Sequence, residues 1–128
     1  MEKLSKNTNA LNWFEIPVTD VSRAKSFYEN VFDIEMNEMD MMNMKMVMFP
    51  SENPKSGGAL VKSEFHKPSA EGSLIYLNAN PDLQLVLDRV ENNGGTITMP
   101  KTEIGNNFGY MAFFKDSEGN MVGVHSGN

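Results

Sequence analysis

The same order of elements occurs twice along this chain. Asn12–Val18 alternates as a strand, with Trp13, Glu15 and Pro17 on one face and Phe14, Ile16 and Val18 on the other. The Phe14/Ile16/Val18 face reads as the core face, and Pro17, which has no N–H, predicts an edge strand or a strand end. Thr19-Asp20 supplies N-cap chemistry, and Val21, Ala24, Phe27, Tyr28, Val31 and Phe32 follow at helical spacing, predicting a helix over 20–31. The period changes from Ile34 onward. Met42, Met44, Met46 and Met48 alternate with Asn43, Lys45 and Val47 as one strand face, Pro50–Gly58 is a turn cluster, and Ala59–Val61 continues as a strand. After a linker at 63–72 the pattern returns about 62 residues later. Ser73–Asn78 reads as a strand. Asn80-Pro81-Asp82 opens a helix with Leu83, Val86, Leu87 and Val90 on one face, and Asn92–Gly95 stops it. Thr96–Met99, Tyr110–Lys115 and Met121–Ser126 read as strands, the last two joined by the Asp116–Asn120 turn. The sequence predicts an α+β chain of two βαβββ modules, about 11–62 and 73–126, within one domain. Neither module buries a sheet face alone, so the two must pack together or swap between chains.

Composition narrows the partners. The 128 residues carry a net charge of -6 and no cysteine. Thiolate metal sites, disulfides and thiol nucleophiles are therefore excluded. An acidic chain does not offer the basic surface that nucleic acid needs, and no apolar run approaches the roughly 20 residues that span a bilayer. Met1–Ala10 is polar, without the apolar stretch of a signal peptide, so the expected location is the cytoplasm. His66 and His125 are the two histidines, which rules out any one-chain mechanism built on three. No phosphate-cradling glycine loop and no G-x-S-x-G elbow occurs.

Trp13–Val18 (W-F-E-I-P-V), Phe27-Tyr28-x-x-Val31-Phe32, Gly57–Val61 (G-G-A-L-V), Tyr76–Asn78, Asn93–Gly95 and Phe114–Asn120 (F-K-D-S-E-G-N), in this order, resemble the vicinal oxygen chelate superfamily. That group includes glyoxalase I, bleomycin-resistance proteins and extradiol dioxygenases. The resemblance covers roughly residues 11–126 and implies a cupped mixed sheet with helices on the outside, and a homodimer. In its metal-dependent members, side chains on the first and last strand of each module hold a divalent ion. Those positions fall here on Trp13, on Ala59 or Val61, on Leu74 or Ile75, and on Gly123. None carries a donor side chain for zinc or nickel, so the expectation is no metal and no cofactor.

Glu15 shares a strand face with Trp13, and His125 shares one with Gly123. Both are expected in the cup, where a carboxylate beside an imidazole would raise its pKa and make a proton carrier. The candidate catalytic residues are thus Glu15 and His125. Trp13, Tyr76, Asn78, Phe114 and Met46 are the candidate ligand-binding residues. Seven of the eleven methionines lie between Met36 and Met48, and flexible thioethers suit either an adaptable pocket or a packed interface. His66, in the linker, reads as a surface residue. Three functional classes follow: a metal-free small-molecule binder, a lyase- or isomerase-like enzyme using Glu15 and His125, or a metal-dependent lyase or dioxygenase with displaced ligands.

Overall fold

The computed structural model describes residues 3–128. Met1 and Glu2 of the polar tail lie outside them, and Ser5–Thr8 closes a turn through Thr8 N–H to the Ser5 carbonyl, 3.2 Å. Module one runs β1 (Trp13–Pro17), α1 (Val21–Phe32), β2 (Asn37–Met41), β3 (Met44–Met48) and β4 (Gly57–Lys62). Module two runs β5 (Tyr76–Asn78), α2 (Gln84–Val90), a 3-10 turn (Glu91–Asn93), β6 (Thr96–Glu103), β7 (Tyr110–Lys115) and β8 (Met121–Ser126). Each module makes a four-stranded mixed sheet, ordered β1-β4-β3-β2 and β5-β8-β7-β6. The first strand of each module pairs parallel with its last, β1 with β4 and β5 with β8, and the other pairings are antiparallel. Both first strands are sheet edges, so the missing N–H of Pro17 costs no ladder bond.

Helix α1 starts where Asp20 Oδ1 accepts from the Arg23 backbone N–H at 3.0 Å. It stops at Asp33, whose left-handed backbone (φ 55) turns its N–H back to the Glu29 carbonyl. Its apolar face buries Ala24, Phe27, Tyr28 and Val31. One continuous core gathers that face with Ile16, Val47 and Leu60 of the first sheet, Val18 just after β1, Leu83, Leu87 and Val90 around α2, and Ala112, Phe114, Val122 and Val124 of the second sheet. The opposite face of each sheet carries no helix. On the first sheet this open face holds Trp13, Glu15 and a smaller cluster of Met46, Ala59 and Val61 flanked by Met44 and Met48.

The strand expected over Ser73–Asn78 is confined to Tyr76–Asn78, and two further sequence readings change here. Met42 does not continue the face of Met44, Met46 and Met48. Met42 and Asn43 are the two-residue turn of the β2–β3 hairpin, both with positive φ (52 and 62), the conformation that matches strand twist in tight hairpins. Alternation alone carried the period through a turn that lacks glycine. β6 also runs past Met99 to Glu103, because as an edge strand it tolerates Pro100 with local register shifts.

The Asp116–Asn120 turn ties the two modules together. Glu118 accepts from the Thr19 and Asp20 N–H groups, each at 2.9 Å, and from Arg23 Nε at 2.7 Å. Asn120 Nδ2 donates to the Pro17 carbonyl (2.7 Å) and to Asp116 Oδ2 (3.0 Å). The buried Tyr28 hydroxyl donates to Asp116 Oδ2 at 2.7 Å, and burial first, then the Asp116 charge, pushes that phenol well above its ordinary pKa. Every buried polar group in this clamp has a partner, as a dry interior requires.

Candidate functional site

Two arrangements stand out. The first is a cleft of about 700 Å³ between the start of the first sheet and the edge strand β5. Phe14, Phe32, Phe49, Ile75, Tyr76 and Asn78 line it. It is mostly apolar with few polar groups, the usual make-up of a small-molecule site. Asn78 Oδ1 already accepts from the Asn80 N–H at 2.9 Å, which leaves its amide N–H groups as the free donors. The Ser56 hydroxyl at the same cleft is bonded to the Leu11 carbonyl.

The second is a hydrogen-bonded chain on the open face of the first sheet. Glu15 Oε1 lies 2.7 Å from His66 Nε2, and His66 Nδ1 lies 2.6 Å from Ser63 Oγ. Trp13 Nε1 donates to the other Glu15 oxygen at 3.2 Å. Ser63 Oγ also accepts from the N–H groups of Phe65 (3.0 Å) and His66 (3.2 Å). Its own proton is therefore the one left to meet Nδ1, and neutral His66 then carries its proton on Nε2, toward Glu15. The bond from His66 holds the Glu15 carboxyl below its ordinary pKa against a smaller opposing effect of burial, with Trp13 adding to the lowering. Glu15 therefore stays ionised at neutral pH.

The predicted residues divide accordingly. Tyr76 and Asn78 line the cleft. Glu15 and Trp13 share the open face of β1, as their spacing requires, and hydrogen-bond each other. Glu15 and His125 are not brought together. β1 and β8 lie in different sheets, and His125 Nε2 is 2.6 Å from the Phe108 carbonyl instead. Phe114 is not a ligand wall. It alternates with Phe113 and Lys115 and so points into the main core, fully buried, with its ring centroid 5.9 Å from that of Phe27. Met46 is 6% exposed and packs on Ala59 and Val61, away from the cleft. His66, read as a surface residue, is the functional-looking group the sequence reading missed. Its Glu15 partner is 51 residues away, and no local pattern marks the pair.

The divalent site implied by the family resemblance does not fit these residues. Trp13, Ala59, Val61, Leu74, Ile75 and Gly123 offer no imidazole or carboxylate, and among the described residues no three His, Cys, Asp or Glu side chains are grouped to hold an ion. Among the same residues no helix is long and apolar enough to cross a membrane.

Comparison with known proteins gives consistent results. The family model described as Glyoxalase/Bleomycin resistance protein/Dioxygenase superfamily matches residues 10–124. A glyoxylase-like domain-containing protein of Didymella fabae is 28% identical over 124 residues, covering 89% of this chain and 91% of that protein. Among solved structures, TnmS3, an antibiotic binding protein from Streptomyces sp. CB03234, superposes with a TM-score of 0.69 at 19% identity, covering 95% of this chain and 98% of its own. A glyoxalase/bleomycin resistance protein from Albidiferax ferrireducens T118 gives a TM-score of 0.70 at 17% identity, covering 91% and 97%.

Proposed function

The chain belongs to the Glyoxalase/Bleomycin resistance protein/Dioxygenase superfamily, and from that premise we propose that it binds a small, largely apolar, ring-containing molecule in the cleft at β5, without the divalent metal used elsewhere in that group. The observation that carries this reading is the cleft itself. Aromatic and aliphatic side chains form its walls, and the reading assigns the orienting of a ligand to the donor amide of Asn78 and the exposed ring of Tyr76, both at the cleft. The antibiotic-binding neighbour supports a binding role for this fold. The reading includes a homodimer, in keeping with the exposed apolar side chains of Trp13 (41%) and Phe108 (65%), which lie outside the lining of the cleft.

The test is a thermal-shift screen of planar polycyclic compounds, with hits followed by calorimetry and by mass spectrometry of the recovered ligand. Tyr76→Ala is expected to weaken a hit about tenfold, the value of one aromatic contact of 1–1.5 kcal/mol. Gly123→Ala acts on the same ring, because a Cβ there would sit 2.8 Å from Tyr76, and it is expected to weaken the hit as well. Unchanged affinity in both variants would remove the cleft as the site.

A second reading rests on the Glu15–His66–Ser63 chain. An ionised carboxylate that orients an imidazole is the arrangement of a proton-transfer enzyme. Under this reading the recovered ligand is chemically altered, and His66→Ala stops the change while His125→Ala does not.

A further inference from the structure

The β2–β3 hairpin presents a thioether surface that the cleft does not use. Met39 is directly opposite Met46, and Met41 is directly opposite Met44. Equal parity along each strand puts all four on one face, the open one. Met39 and Met41 are 44% and 45% exposed, Met44 is half-buried, and Met46 is buried. Met42, in the turn, is 80% exposed. β2 is the outermost strand of its sheet, and Glu38 and Asp40 blunt this edge with charge on one face while Asn37, Met39 and Met41 occupy the other.

Packing does not account for the residue type. Valine, isoleucine or threonine would suit an exposed strand better, and leucine would match the volume. What methionine alone adds is a sulfur donor on three rotatable bonds. Facing Cβ atoms lie about 5 Å apart across the strands, and same-face neighbours about 7 Å apart along one, so several thioethers reach one point without moving the backbone. Thioether sulfur is a soft ligand and selects Cu(I) over zinc, magnesium or calcium. Asp40 and Lys45 both border the depression of about 430 Å³ that Met41, Met42 and Met44 line, so the local charges balance and the attraction for a cation comes from the chain's net charge of -6.

We propose that this hairpin binds one soft monovalent cation, Cu(I) or its analogue Ag(I), through the thioethers of Met39, Met41 and Met44, with Met42 as a further donor from the turn. The site is independent of the cleft and of the Glu15–His66 pair, which contribute no atom to it.

The probe is silver nitrate added to full-length protein labelled with ¹³C at the methionine methyl groups, in chloride-free buffer. One equivalent is expected to shift the methyl signals of Met39, Met41 and Met44 and to leave those of Met99, Met111 and Met121 in place. Competition against a coloured Cu(I) chelator under anaerobic conditions then gives the affinity for copper itself. The double variant Met41→Leu/Met44→Leu conserves volume, so the fold is retained, and its affinity is expected to fall at least about tenfold. Three outcomes overturn the proposal: no methyl signal moves, all methionines move alike, or the double variant binds as tightly as the parent. A silver ion found on His66 or His125, read from their ring signals, overturns it as well.

Discussion

Replacing Glu118 by alanine will lower stability by about 2 kcal/mol at neutral pH, because the Thr19 and Asp20 N–H groups lose their charged acceptor, while the Arg23 guanidinium left behind is solvated. The carboxylate has no solvent exposure, while its partner Arg23 is half exposed. Burial by itself would raise the Glu118 pKa. The bonds from Arg23, from the Asp20 and Thr19 N–H groups and from the Thr19 hydroxyl outweigh it and bring the value to about 2, from an ordinary 4.5. A depressed carboxylate pKa fixes the sign of the pH dependence. The unfolded chain takes up the proton first, so the contribution is complete above pH 4.5 and disappears as pH falls through about 2. Urea unfolding at pH 7, 4 and 2.5 checks this. The gap between parent and Glu118→Ala should shrink steadily toward acid. A constant gap at all three values would mean that packing, not ionisation, holds the turn to α1. Glu118→Gln keeps the shape and loses the charge, and should fall between the two.

That turn also shows what the sequence made legible and what it did not. Asp116-Ser-Glu-Gly-Asn120 reads at once as a turn from its residue types, and Gly119, at φ 90, takes the conformation expected of glycine there. Its role as a clamp was hidden, because Glu118 meets Thr19 across 99 positions. Periodicity is local, so it located nearly every element. It also placed Glu15 correctly on the side of β1 opposite Ile16. Parity says which face a residue takes, but not what stands over that face. The partner came from the segment after β4, in His66, rather than from β8, which belongs to the other sheet. Phe114 failed for a related reason. An aromatic residue on a strand looks the same in sequence whether it faces a ligand or a helix, and here the phase of β7 gives Phe114 to the core and Phe113 to the open side, 5.8 Å from Tyr76. Met42 failed because Met and Asn alternate across the hairpin turn as regularly as within the strand.

Phe27→Ala will cost about 4 kcal/mol, the usual loss for a buried phenylalanine cut to its Cβ. The ring is 1% exposed and stands edge-on to Tyr28 at 5.0 Å. It faces Phe114 of the second sheet from a helix of the first module, so its removal opens a void between the modules and not within one. The surroundings cannot close over that void easily. Gly95 approaches the same ring so nearly that a Cβ there would lie 2.8 Å from Phe27 and 2.7 Å from the Lys115 carbonyl, so the adjoining backbone is already in place around it. A domain of this size has a total stability on the order of 5–15 kcal/mol, so the variant loses a large share and its Tm should drop by about 15 °C. Because the core is continuous across both modules, scanning calorimetry should show one transition at the lower temperature. Two separated transitions would show instead that the modules fold independently and that the shared core is a weak contact. Phe27→Leu, which refills most of the volume, should recover most of the lost stability and the same single transition.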